Sequence, residues 1–217
     1  MSAEGGWRDI SVAVRASTPE WPGDTPFSCG WTMRIDLGST VNLSAITMSP
    51  HVGTHADAPL HVHDGWPSSE ALPLLPFIGR ARVCTVAGGA DRIDASLLPT
   101  LPPTGSIERL LLRTNRAVGG GSFPESWPSL SLDALAMLLD RGLLLLGVDA
   151  PSVDGRDSKS LEVHHALFRG GAFNLENLDL RDVADGEYEL FAFPMRICGI
   201  DAAPVRALLR DARGTPA

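Results

Sequence analysis

Hydrophobic and polar positions alternate along much of this chain, and elsewhere they repeat at helical spacing. Residues 9–14 (DISVAV) alternate as a half-buried strand does. Residues 30–39 and 43–49 predict two strands joined by a short polar turn, and residues 81–87 and 109–114 predict two more. Residues 143–148 (LLLLGV) form an unbroken apolar run, the pattern of a strand covered on both faces. Residues 172–177 and 188–197 add further strands, the last broken at Pro194. Residues 131–141 predict a helix: Ser131 caps it, Asp133 sits at its positive end, Leu132, Leu135, Leu138 and Leu139 form one apolar face, and Gly142 stops it. Residues 162–168 predict a short helix ended by Gly170-Gly171, residues 93–98 a single helical turn, and residues 203–210 a closing helix. Strands predominate, with no internal repeat and no long linker. The pattern predicts one α/β domain over residues 1–217, built on a mixed sheet.

Composition narrows the functional classes. A chain of 217 residues buries about 70% of its unfolded surface and needs no disulfide to fold. Its 18 basic and 26 acidic residues give a net charge of −8 without a basic run, so nucleic acid is not an expected partner. Cys29, Cys84 and Cys198 are far apart, and an odd count suits a reducing compartment. Their expected role is that of small buried hydrophobes. No signal peptide is expected, and no apolar run approaches the roughly 20 residues a membrane span needs. A cytoplasmic protein is expected. The glycines at 119–121 do not complete a phosphate-binding motif and predict a turn.

Candidate chemistry is concentrated in residues 49–61 (SPHVGTHADAPLH), which hold three of the six histidines and an aspartate. His51, His55, Asp57 and His61 share one parity, so an extended segment would direct all four to one face. Pro50, Pro59, Gly53, Val52 and Thr54 oppose a helix there. Imidazole with carboxylate suits zinc or another borderline divalent ion such as Mn(II) or Fe(II). His63 shares the parity, but Asp64-Gly65 turns the chain. Two candidates complete the set from afar: the His164-His165 pair, and Glu176 in an apolar setting (FNLENL). From the residues alone, a surface His164 and a solvent-facing Glu176 explain the sequence equally well.

The run H-x-G-T-H-x-D-x-P-x-H at His51–His61 resembles the signature of the metal-dependent cyclase family, which includes the bacterial arylformamidases (kynurenine formamidases). The resemblance extends to Ser152-Val153-Asp154, Asp157-Ser158-Lys159-Ser160-Leu161, His164 and Leu175-Glu176-Asn177-Leu178. It implies a swivelling β/β/α architecture, a homodimer, and His51, His55, Asp57, His164 and Glu176 as ligands, with His164 preferred over His165. Five ligands exceed one tetrahedral zinc with an open position. Two carboxylates can bridge, so the set implies two zinc ions, with Mn(II) or Fe(II) also compatible. His61 is then free to carry protons. The W-P-G-D-T-P-F loop resembles one at the family's active site, which makes Trp21 a substrate contact and leaves Phe27 open. Phe173-Asn174 departs from the aliphatic residues more usual before Leu175 and bears on pocket shape.

The implied reaction is hydrolysis of a small aromatic formamide, N-formyl-L-kynurenine, to L-kynurenine and formate. Alternatives are a cyclic-amide hydrolase of isatin hydrolase type, or a metal-stabilised binding protein without turnover. No G-x-S-x-G elbow or H-E-x-x-H motif supports another hydrolytic route.

Overall fold

The apolar run at 143–148 becomes the middle of a parallel half-sheet, and the rest of the fold is arranged on either side of it. The computed structural model describes residues 6–87, 91–98 and 101–212. In chain order the elements are β1 (Trp7–Asp9), β2 (Ser28–Met33), β3 (Leu43–Thr47), β4 (His55–Asp57), β5 (Ile78–Thr85), β6 (Arg92–Ile93), β7 (Arg109–Arg113), β8 (Ser129–Leu130), α1 (Leu132–Asp140), β9 (Leu145–Val148), α2 (Glu162–Arg169), β10 (Phe173–Leu175), β11 (Gly186–Phe191), β12 (Ala202–Pro204) and β13 (Leu208–Asp211). A seven-stranded sheet runs β1-β13-β11-β5-β7-β9-β10. The β5-β7-β9-β10 half is parallel, and the β1-β13-β11-β5 half is antiparallel. This is the α/β class with a mixed sheet that the pattern predicts.

Alternation along the central strands builds two apolar layers. Leu110 and Leu112 of β7, and Leu146 and Val148 of β9, pack with Leu135 and Leu138 of α1 and with Val163 and Leu167 of α2. Leu111 and Leu145 face the other way, against Ile10, Phe77, Leu190 and Leu209. Each fully buried leucine contributes about 1.5–3 kcal/mol of transfer free energy. In the helix at α1, Ser131 caps as expected, its hydroxyl accepting from Ala134 N at 3.2 Å. Leu132, expected on the apolar face, is exposed instead, because Ala134 takes the buried position beside Leu135 and Leu138.

The closing helix expected at 203–210 is two strands. Residues 205–209 alternate, with Val205, Ala207 and Leu209 buried and Arg206 exposed. That period of two fits the slot between β1 and β11 and overrides the helical propensity of Ala and Leu. Strand β1 comes earlier than the alternation at 9–14 implies, and Ser11 makes only an isolated bridge to Leu178. The three cysteines are free; Cys84 is buried, but Cys29 lies on an exposed strand and Cys198 in an exposed turn. Strands β2 and β3 pair antiparallel as a separate hairpin, and every residue of both is exposed. Among the described residues, no helix is long and apolar enough to cross a membrane.

Candidate metal centre

The site lies where the parallel strands end. Glu176 follows the last residue of β10, and the loop carrying Pro151 to Asp154 follows β9. Position at the carboxyl ends of parallel strands is where open α/β sheets commonly place ligands. Strand β4 reaches this edge through one backbone pair: His55 N donates to Glu176 O at 3.3 Å, and Glu176 N to His55 O at 3.0 Å. On its other side β4 pairs with β12, which places Asp57 opposite Ala202.

The segment from His51 to His61 is not one extended strand. Only His55–Asp57 is β; His51 lies in a turn, and Pro59–His61 is a 3-10 helix. A straight strand would separate residues four apart by about 13 Å. Gly53, at φ +75°, instead folds His51 back so that its Nδ1 lies 3.0 Å from His55 Nε2. A Cβ on Gly53 would come within 2.6 Å of Val14 Cγ2, so the turn needs glycine for space as well as for φ. Asn177, itself at φ +55°, donates from Nδ2 to the carbonyls of Gly53 at 3.2 Å and His51 at 3.4 Å. Thr54 Oγ1 donates to Asn177 O at 2.6 Å and accepts from Val12 N at 2.9 Å.

The geometry brings His51, His55, Asp57, His164 and Glu176 together. His51 Nδ1 and His55 Nε2 face Asp57 Oδ1 at 3.1 and 3.4 Å, and His55 Nε2 is 3.5 Å from Glu176 Oε2. His164 Nε2 faces the other oxygens, Asp57 Oδ2 at 3.1 Å and Glu176 Oε1 at 3.3 Å. Each carboxylate is therefore split between two histidine groups. Each histidine directs its other nitrogen to a fixed acceptor. His51 Nε2–H donates to Asp201 Oδ2 at 3.0 Å, His55 Nδ1–H to Gly53 O at 2.9 Å, and His164 Nδ1–H to Asp154 Oδ2 at 2.7 Å. Such partners set the tautomer and aim the remaining lone pair inward, as in metal-binding histidines. Asp154 also accepts from Val163 N and His164 N, which holds the first turn of α2.

Charge in this cluster is dense. Burial disfavours a charged His51, but its hydrogen bond to Asp201 and the adjacent Asp57 carboxylate outweigh it and raise its pKa to about 10. His55 is raised to about 9 by Asp57 and Glu176, again against burial. Burial is likewise overcome at His164, raised by Asp154, Asp57 and Glu176, and at Asp57 and Glu176, both lowered by their histidines. Asp201 is lowered by its hydrogen bonds to His51 and His61. Asp57 Oδ1, although fully buried, has no hydrogen-bond partner among the described residues. A buried carboxylate oxygen without a donor, ringed by inward imidazole nitrogens, suits a divalent cation. Among the described residues, three groups could each hold a metal ion: His51, His55 and Asp57; Asp57, His61 and His164; and His51, His61 and Asp201.

His61 sits at the rim, with Nδ1 3.3 Å from the same Asp201 Oδ2 that holds His51. Its ring centroid is 4.5 Å from that of His51 and 5.7 Å from that of His164. His63 lies outside, stacked on Trp66, and His165 turns its ring to the same tryptophan. Beside the cluster is a cavity of about 610 Å³ lined by Trp21, Phe123, Met48, His61 and Leu161 among others. Trp21 meets Phe123 and Trp127 edge-on, at 5.5 and 5.7 Å between centroids. Phe27 is not part of this lining. Sequence reasoning missed Asp201 and Phe123. Neither stands in a motif, and both come into place through loops. Asp154, within the motif, holds His164 through Nδ1 and the first turn of α2.

Residues 8–155 match the putative cyclase family. A kynurenine formamidase of Salinibacter ruber is 44% identical over 206 residues, 94% of this chain and 97% of that protein. One of Bacillus cereus is 41% identical over 204 residues, with the same coverage. Among solved structures, a potential metal-dependent hydrolase with cyclase activity superposes with a TM-score of 0.80 at 27% identity, covering 95% of this chain and 98% of that one. An isatin hydrolase bound to the product analogue thioisatinate superposes with a TM-score of 0.78 over 94% of this chain and 91% of its own, a likeness of fold at 22% identity. The chain therefore belongs to the cyclase family, and its relatives over nearly the whole length are kynurenine formamidases.

Proposed function

We propose that this protein hydrolyses N-formyl-L-kynurenine to L-kynurenine and formate, using two divalent ions, zinc by preference, held by His51, His55, Asp57, His164 and Glu176. The observation that carries the reading is the division of Asp57 and Glu176, each with one oxygen on the His51–His55 side and one on the His164 side. When bound, the ions would supply Lewis acidity towards the formyl carbonyl and water. His61 is the proton carrier: Asp201 holds its Nδ1, which leaves Nε2 for the departing arylamine nitrogen. A water oxygen adds to the formyl carbon, and as the C–N bond breaks the nitrogen takes a proton from His61 Nε2, so that formate and the free arylamine leave. Trp21 and Phe123 provide an aromatic wall for the aryl ring, and a cavity of about 610 Å³ suits a ligand of this size.

The same reading includes a homodimer. An isolated two-stranded hairpin is marginal in water. Yet β2–β3 carries Trp31, Met33, Leu43 and Ile46 exposed, with Ile35 and Leu37 in its connection. A second copy of this chain is the proposed cover for that surface.

The test is kynurenine formation from N-formyl-L-kynurenine, followed by absorbance. Activity should disappear on chelation and return with zinc or another divalent ion. Turnover unchanged after complete removal of metal would refute the proposal.

A further inference from the structure

Asn174 is the middle residue of β10 and fully buried, in register with Leu146 of β9. Because strand side chains alternate, Asn174 shares its face with Glu176, while Phe173 and Leu175 turn to the apolar layer. Its amide therefore enters the metal centre. Nδ2 lies 2.6 Å from Asp57 Oδ2, 3.1 Å from Glu176 Oε1 and 3.4 Å from His164 Nε2. These are the three atoms assigned above to one ion. His164 Nε2 is itself 3.1 and 3.3 Å from the two oxygens. Ligand atoms about 2.0–2.2 Å from a common metal stand roughly 2.8–3.6 Å from one another. The amide's separations from Glu176 Oε1 and His164 Nε2 fall in that range, and its 2.6 Å approach to Asp57 Oδ2 is a little shorter.

The other end of the amide is informative too. Oδ1 is buried and has no partner among the described residues, which is costly for an amide oxygen. Turning the amide about its last torsion exchanges N and O without changing its shape. With two bare carboxylates in front of it, the amide presents N–H groups. With a cation among those atoms, the attractive orientation presents oxygen.

We propose that Asn174 supplies its side-chain amide oxygen as a fourth protein ligand to the ion held by Asp57, His164 and Glu176. The proposal rests on the two-ion reading above. It makes this position richer in oxygen than the one at His51 and His55, and so better suited to a harder ion such as Mn(II).

The test is metal binding by chelator competition, with the absorption spectrum of Co(II)-loaded protein, in the wild type, Asn174→Leu and Asn174→Asp. Two ions per wild-type chain are expected. Asn174→Leu should keep the first at wild-type affinity, bind the second at least about tenfold more weakly, and change the Co(II) spectrum of the second equivalent alone. Asn174→Asp should keep both. Two ions in the wild type with unchanged affinities and spectrum in Asn174→Leu would remove Asn174 from the shell and leave the ion pair standing. Fewer than two ions in the wild type would overturn both. Should Asn174→Leu fail to fold, the metal-loaded wild-type crystal structure decides. An amide oxygen within about 2.0–2.4 Å of the ion is expected, and an amide turned away from it overturns the proposal.

Discussion

His55 and Glu176, carried by segments from opposite halves of the chain, exchange both of their backbone hydrogen bonds at 3.3 and 3.0 Å. This single bridge ties the H-x-G-T-H turn to the end of β10, so the positions of the two proposed ligand groups are coupled through backbone rather than through side chains alone. Elements that pin this bridge should govern metal affinity. Gly53→Ala would set a side chain at φ +75° against Val14. A loss of about 1–3 kcal/mol of stability is expected, together with weaker binding of the ion at His51 and His55. Thermal unfolding and metal titration would check both.

His61 and the ligands are separable by experiment. His61→Asn should lower turnover by about 10²–10⁴-fold while two ions remain bound. Loss of an ion in step with activity would make His61 a ligand instead.

Asp201 serves His51 and His61 through one oxygen. Asp201→Ala should weaken metal affinity by about 10–100-fold and lower kcat even when metal is saturating. KM should change little, because Asp201 orients the proton carrier and not the aryl ring. Asp201→Asn, which keeps an acceptor oxygen, should recover part of both losses.

Protons and metal compete for this site. His51 at about 10 and His55 at about 9 stand above their ordinary value of 6.5. The metal-free folded protein therefore binds more protons than the unfolded chain between roughly pH 6.5 and 10, and its stability falls as pH rises through that window. The stabilisation is fully present below the unfolded value. The lowered Asp57 and Glu176 are the same pairs seen from the carboxylate side, and their contribution is lost in acid. Metal must displace the imidazole protons, so affinity should rise with pH up to about 9–10 and binding should release protons. Calorimetry in buffers of different ionisation enthalpy would measure that release. Zero release at pH 7 would contradict the assignment.

The exposed hairpin gives a prediction independent of metal. Ile46→Asp should shift the protein from dimer to monomer in sedimentation velocity while the fold is retained. A wild-type monomer would remove the dimer from the account.

Much of this was legible in the sequence because the informative patterns are local. The buried run at 143–148, the capped helix after Ser131 and the mixed α/β class all follow from short-range periodicity. That His51, His55, Asp57, His164 and Glu176 cluster was legible because residue types and a long motif marked them. Parity, however, brings His51 and His55 together for a wrong reason: they meet through a turn at Gly53, not along a strand. The segment at 203–210 was misread because its alternation is short and its Ala and Leu favour helix, while the slot between β1 and β11 is a tertiary fact. Asp201 was invisible for a similar reason. Its backbone carbonyl accepts from Ala58 N across the β4–β12 pair, and only that pairing brings its carboxylate to His51.

The most direct test of the central claim is anomalous diffraction at the zinc edge from crystals of the zinc-loaded protein. Two peaks about 3.5–4 Å apart, one beside His51 and His55 and one beside His164, with Asp57 and Glu176 touching both, are predicted. A single peak, or a second ion bound by neither carboxylate, would contradict it.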